Sequence, residues 1–145
     1  MKNYNTDVIL WINKADHDLG TAVLTYLHIP EYKDTITFHC QQAVEKYLKA
    51  YLIFLEIEFK FSHDLVYLIE LIGVKDNSLA DFYNRILTLQ NYAVEVRYPD
   101  ETIFITDEKV TEAIETAKSL RILVTKKMDM EVIYNTIIDS DLPNL

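Results

Sequence analysis

Four polar side chains between residues 39 and 49 are spaced so that they would share one face of a helix. His39, Gln42, Lys46 and Lys49 follow each other at steps of three, four and three residues, the spacing of neighbours on a helical surface. Such a row could donate hydrogen bonds to a phosphate group or to a nucleobase. It is also what the solvated face of an ordinary amphipathic helix contains, and spacing alone favours that simpler interpretation.

Arg97 is a further candidate for binding an anion. Arginine is rare in this chain, which contains only Arg85, Arg97 and Arg121, and its guanidinium group binds phosphate through a planar fork of donors. Alternatively, Arg97 lies where a helix is expected to end, and its charge would then interact with the carbonyl end of that helix. From the residues alone, the two roles are equally well supported.

The remaining residues with reactive side chains give weaker signals. His63 could exchange protons at the head of a helix, although a histidine there more often packs or caps. Cys40 falls on an apolar stripe and is predicted to be a small core residue rather than a nucleophile. His17 and His28 lie apart from any cluster with ligand spacing, so neither a metal site nor another cofactor is predicted.

Composition restricts both the ligand and the fold. The net charge of −9 opposes general binding to nucleic acid, so any site for an anion must be local. The two glycines, Gly20 and Gly73, leave no room for a glycine-rich phosphate loop. The scarcity of glycine and proline also argues against the many tight turns of a β-sandwich. Long helices are therefore expected.

Five apolar stripes of helical period predict an all-α fold, a five-helix up-and-down antiparallel bundle without a sheet. The predicted helices run from about residue 8 to 26, from Asp34 past Tyr51, from Ser62 to Gly73, from Ser78 to near Arg97, and from Thr106 onward. Asp34, Ser62, Ser78 and Thr106 are the predicted N-caps. Gly73 is expected to close the third helix in the left-handed conformation.

Two expectations concern residues that would face water. Glu45 and Lys49 stand four apart, and as a surface pair they would stabilise the second helix by about 0.3 kcal/mol. Asp18 belongs to the polar side of the first helix, together with Lys14, and that side is also expected to be solvated.

Residues 1–128 are predicted to form one helical domain, and residues 129–145 an acidic tail or a short extra helix of the same domain. The tail contains acidic residues but no Lys or Arg, while Ile133, Tyr134, Ile137 and Ile138 keep helical spacing. No run approaches the roughly 18 apolar residues of a membrane span, and the polar start does not resemble a secretory signal. With a single cysteine, the chain is expected to be cytoplasmic.

Four segments together resemble the HEPN family, small helical domains found in higher eukaryotes and prokaryotes. They are Trp11–Leu19, Phe38–Ala50, His63-Asp64-Leu65, and Tyr92 through Arg97-Tyr98-Pro99-Asp100. The similarity covers about residues 7 to 128, and the second segment and the Arg-Tyr-Pro-Asp turn are its most specific parts. The resemblance implies an antiparallel helical bundle, commonly dimeric. It also implies a frequent partnership with a minimal nucleotidyltransferase as a toxin–antitoxin pair.

Many HEPN members are metal-independent ribonucleases that use an Arg and a His with four to six residues between them, near the end of the fourth helix. In this sequence every histidine precedes the first arginine, Arg85. The positions where that His would follow Arg97 hold Thr102, Ile103 and Phe104, none of which exchanges protons near neutral pH. The usual catalytic motif is therefore missing, and enzymatic activity is not the leading expectation.

Three functions follow from these observations. The leading one is a non-catalytic HEPN module, expected to be a homodimer, that binds a nucleotide or a partner protein such as a nucleotidyltransferase. Its expected nucleotide- or phosphate-binding residues are Arg97, His39, Gln42, Lys46 and His63. One alternative is a HEPN ribonuclease with a non-standard arrangement, in which His39 or His63 approaches Arg97 in space. The other is a purely structural interaction protein.

Overall fold

The computed structural model describes residues 6–96, 105–131 and 135–140, except for the side chains of residues 92–96. Five α-helices lie within these ranges, with a short 3-10 helix before the fourth. They are α1 (Thr6–His28), α2 (Lys33–Phe54), α3 (Leu65–Ile72), the 3-10 helix (Asn77–Phe82), α4 (Tyr83–Val96) and α5 (Asp107–Lys127). The described parts contain no strand, so the prediction of an all-α fold with five main helices is confirmed.

Helix α2 is the centre of the bundle, since it contacts α1, α3, α4 and α5. Its apolar stripe is buried as predicted, at Ile36, Cys40, Ala43, Val44, Tyr47 and Leu48. Leu55, the last residue predicted for this stripe, lies just past the helix and is half-buried.

None of the described helices is both long and apolar enough to cross a membrane.

The ends of α2 and α3 differ from the predictions. Tyr32, not Asp34, is the N-cap of α2, and its side chain makes no capping hydrogen bond. Asp64, not Ser62, caps α3, because its carboxylate accepts hydrogen bonds from the backbone N–H groups of Val66 and Tyr67. A carboxylate nearer to these free N–H groups takes the role predicted for the Ser62 hydroxyl, which instead accepts from the backbone N–H of Asp64.

Two further predictions about helix ends are wrong, and one is confirmed. Gly73 closes α3 as predicted, but its conformation is right-handed rather than left-handed, with φ −57°. Right-handed turns continue beyond it, with the N–H of Val74 donating to Leu71 and that of Lys75 to Ile72. Ser78 does not cap a helix. Asp76 does so, accepting the Ser78 N–H at 2.9 Å. Thr106 caps α5 as predicted, accepting the N–H of Lys109 at 3.2 Å.

The described part of the C-terminal segment packs on the bundle. Residues 135–140 form a turn rather than a helix, and Ile138 is buried in the core. Asp139 accepts a hydrogen bond from the Arg121 guanidinium at 2.9 Å, and Arg121 also donates to Asp16 of α1 at 3.0 Å. Arg121 is a buried residue of α5. Because it bonds both Asp16 and Asp139, it connects the C-terminal segment to α1 and α5.

Candidate functional site

The polar face of α2, defined here as His39, Gln42, Glu45, Lys46 and Lys49, is organised by two carboxylates. One is Glu45, on α2 itself, and the other is Asp18, on α1. Each carboxylate binds one lysine and one histidine. The charged and imidazole groups of the predicted polar row therefore belong to two clusters, each built around a negative charge.

The first cluster lies between α1 and α2. The Oδ1 atom of Asp18 is 3.0 Å from Nδ1 of His39, and its Oδ2 atom accepts a hydrogen bond from the ammonium group of Lys46. All three side chains are only partly exposed. The expectation that Asp18 faces water is wrong, because α2 packs against this side of α1 and supplies both partners.

The second cluster is buried more deeply. The Oε2 atom of Glu45 is 3.1 Å from Nζ of Lys49, and the two side chains are only 4% and 2% exposed. The predicted surface pair is therefore a buried ion pair. The other carboxylate oxygen, Oε1, lies 2.8 Å from Nδ1 of His63, whose side chain is 57% exposed. Glu45 thus connects the interior of the bundle to an imidazole at its surface.

Aromatic rings explain how the charge of Lys49 is tolerated away from water. Its Nζ atom lies 5.3 Å from the ring centroid of Trp11 on α1 and 5.2 Å from that of Phe61, in the segment before α3. A cation over an aromatic face is stabilised by the negative potential of the ring. Together with Glu45, these rings replace the solvent that Lys49 has lost.

In both imidazoles, the partner carboxylate makes Nδ1 the hydrogen-bond donor. An ionised carboxylate can only accept hydrogen bonds, so Nδ1 of His39 and of His63 carries a proton. In the neutral imidazole, Nε2 is then an acceptor, and in the protonated one it is a donor. Neither Nε2 atom makes a hydrogen bond within the described residues. A carboxylate that orients an imidazole in this way prepares it to bind a ligand or exchange a proton.

Gln42 occupies the helical surface between the two clusters. It follows His39 by three residues and precedes Glu45 by three, so its side chain projects between theirs. It is half-buried and makes no side-chain hydrogen bond with any residue that the structure describes. Its amide combines donors with an acceptor, which adds a neutral group to this face.

Arg97, the predicted phosphate-binding residue, lies outside the described residues. The helix that precedes it is nevertheless fixed near the second cluster. Gln90 of α4 accepts hydrogen bonds from the backbone N–H groups of Leu65 and Val66, at 2.5 and 3.2 Å. These residues begin α3 and closely follow His63, so α4 lies against the segment that contains this imidazole.

Charges on the described part of the face are balanced. Lys46 is paired with Asp18, and Lys49 is paired with Glu45. No group of three or more His, Cys, Asp or Glu side chains suited to a metal ion occurs in the described ranges. The face therefore offers oriented neutral groups rather than an excess of positive charge.

Sequence reasoning missed four residues of this arrangement, namely Asp18, Glu45, Trp11 and Phe61. The sequence pattern predicts that both carboxylates are solvated, although they belong to the segments that resemble HEPN domains. An available signal was the position of Glu45, which lies next to the buried Val44 and four residues before a lysine. An acid close to an apolar stripe with a lysine one turn later is compatible with a buried pair.

Comparisons with known proteins agree with this architecture. The sequence model of the HEPN domain matches residues 8–127. Among solved structures, the chain is similar to the crystal structure of an archaeal HEPN homologue, with a TM-score of 0.67 and 27% sequence identity. The alignment covers 88% of this chain and 99% of that homologue. No curated protein matches the chain.

Proposed function

Because this chain belongs to the HEPN family, we propose that it is a non-catalytic module that binds a nucleotide on the polar face of α2. The observation that carries the proposal is the pair of carboxylates that fix Nδ1 of His39 and of His63. Each leaves Nε2 for a ligand, as an acceptor for a base N–H or ribose hydroxyl, or as a donor to phosphate when protonated. Preorganised groups of this kind lower the entropic cost of binding.

The proposed site divides the ligand between neutral and charged groups. Arg97 binds the phosphate through its guanidinium fork, while His39, Gln42 and Lys46 supply further hydrogen bonds from α2, and His63 supplies one from the segment before α3. Since Lys46 and Lys49 are already paired with carboxylates, the local positive charge is small. That balance favours one nucleotide over a long polyanion, in keeping with the net charge of −9.

Calorimetric titration with adenine nucleotides tests the proposal. Wild type should bind, and Arg97→Lys should bind more weakly, because lysine keeps the charge but lacks the fork. Arg85→Lys is the matched control, since Arg85 bonds Thr116 of α5 rather than this face. Absence of binding by wild type would refute the proposed function. Equal binding by wild type and Arg97→Lys would refute the role of Arg97.

A second function, binding of a partner protein, is favoured by a different surface. Four large apolar side chains of α1 are substantially exposed: Ile9, Leu10, Leu24 and Leu27. Their positions fall within about 100° around a helix, so they lie on one side of α1, in two exposed apolar patches that Asn13 and His17 separate. Exposed apolar patches suit a protein interface. We propose that they support a homodimer, or the docking of a separately encoded nucleotidyltransferase in a toxin–antitoxin pair.

A further inference from the structure

Phe61 is the most exposed large apolar side chain in the described part of the protein, with 85% of its surface accessible. It lies in the segment between α2 and α3, two residues before His63. A phenylalanine ring held in water gains little of the burial that normally stabilises it. Its position beside the polar face of α2 therefore calls for a functional explanation.

The surroundings of the ring are specific. The ammonium group of Lys49 lies 5.2 Å from the ring centroid, and the imidazole of His63 lies 5.1 Å away at an interplanar angle of 79°. Glu45 binds both of these neighbours. The exposed ring therefore rests on a buried, fixed cation and beside an oriented imidazole.

This environment alters how the ring interacts with a second aromatic group. The negative faces of two aromatic rings repel each other in a face-to-face arrangement. A cation on one face of Phe61 draws electron density toward itself, so the open face should be a better platform for an electron-rich ring. Phe38 is a useful contrast, because it is 47% exposed and its ring lies 5.4 Å from that of His39 at an interplanar angle of 76°, while no lysine of the described residues lies over it.

We propose that Phe61 is the stacking platform for the base of a purine nucleoside monophosphate, and that Nε2 of His63 bonds the edge of that base. A purine is preferred because its two fused rings cover more of the phenyl face than a pyrimidine does. The inference rests on the proposed nucleotide-binding function and adds to it the residue that recognises the base. Phe61 touches the ligand in this scheme but takes part in no reaction.

The test compares AMP with ribose 5-phosphate, which keeps the phosphate and the sugar but lacks the base. Calorimetric titrations use wild type, Phe61→Leu, Phe61→Tyr and the control Phe38→Leu. Wild type should bind AMP more tightly than ribose 5-phosphate. Phe61→Leu should weaken AMP binding by about tenfold, the order of magnitude of one stacking contact, and should leave ribose 5-phosphate binding unchanged. Phe61→Tyr and Phe38→Leu should resemble wild type.

The outcomes separate this inference from the function on which it rests. Equal binding of AMP by wild type and Phe61→Leu would overturn the stacking role while leaving nucleotide binding intact. A parallel loss of both ligands in Phe61→Leu would also overturn it, because the effect would not depend on the base. Failure of wild type to bind AMP would overturn the proposed function and this inference together. Circular dichroism of each variant verifies that the helices are retained.

Discussion

The Nδ1 atom of His63 lies 2.8 Å from Oε1 of Glu45, a carboxylate whose other oxygen lies 3.1 Å from Nζ of Lys49. One buried acid therefore joins the middle of α2 to the segment that leads into α3. Removing it would leave a buried lysine without its counter-ion and a surface imidazole without its orienting partner. We therefore expect Glu45 to affect both the stability of the fold and the proposed binding of a ligand.

We expect Glu45→Gln to lower the free energy of unfolding by about 3 kcal/mol, because it leaves the charge of Lys49 buried and uncompensated. Urea denaturation measures the loss. Glu70→Gln, at an exposed position on α3, is the matched control and should be nearly neutral. The double variant Glu45→Leu/Lys49→Met removes both charges and should lose less than the single variant. A single variant as stable as wild type would contradict the importance of this pair.

Asp76 should make the free energy of unfolding depend on pH in the acidic range. Hydrogen bonding from Ser78, and then from Tyr51, holds the pKa of Asp76 well below its usual range. Because the unfolded chain has the higher value, about 3.9, this contribution is complete above that pH and is lost as the pH falls toward the folded-state pKa. The difference in unfolding free energy between wild type and Asp76→Asn should therefore be constant from neutral pH to about pH 5 and shrink below about pH 4.

Urea titrations at successive pH values measure this difference. Asp81→Asn serves as the control, because Asp81 is exposed and its removal should give a small difference with little dependence on pH. A difference between wild type and Asp76→Asn that grows on acidification would have the wrong sign and would contradict the assignment.

Cys40 should be unreactive in the folded protein. Burial raises the pKa of its thiol, and the side chain is fully enclosed by the core, so neither the thiolate nor access is available. A disulfide reagent should modify it only after the addition of denaturant. Lys14→Cys, which places a thiol on the exposed side of α1, should react at once under native conditions. Rapid modification of native wild type would contradict the complete burial of Cys40.

A homodimer is expected in solution, with the two exposed apolar patches of α1, Ile9 with Leu10 and Leu24 with Leu27, as its interface. Sedimentation velocity should show a dimer for wild type at tens of micromolar concentration. Leu24→Glu combined with Leu27→Glu should shift it to a monomer, because charges at these positions would be desolvated on association. Ile122→Glu, an equally drastic change on the exposed face of α5, should remain dimeric. A monomeric wild type would contradict this expectation.

Ribonuclease activity of the family type should be absent, because no histidine follows any arginine in the chain. Incubation of purified protein with a structured RNA should leave the RNA intact. Cleavage that disappears in Arg97→Ala would overturn the non-catalytic assignment. Cleavage that persists in that variant would be attributed to contamination, and a second purification step should remove it.

The helices were predictable because their signal is local. A residue three or four positions away is a neighbour on any helix, so the apolar stripes of α1, α2 and α5 identified their buried faces before any contact was known. Thr106 was predictable for the same reason, since a cap bonds groups only a few residues away. Ser62 and Asp64 show the limit of such signals. Both residue types can cap the N-terminus of a helix, and only the structure shows that Asp64 caps α3.

The amino-acid sequence was sufficient to predict the helical fold, its resemblance to HEPN domains, and the set of polar residues that share a face of α2. Which of these residues are solvated is visible only in the folded protein. Asp18 and His39 are 21 positions apart, and His63 and Glu45 are 18 apart, so no helical period relates them. Whether Lys49 is a surface charge depends on Trp11 and Phe61, which reach it from other segments of the chain. Periodicity specifies which side chains lie together on one helix, whereas burial and electrostatic pairing depend on what the rest of the chain places over them.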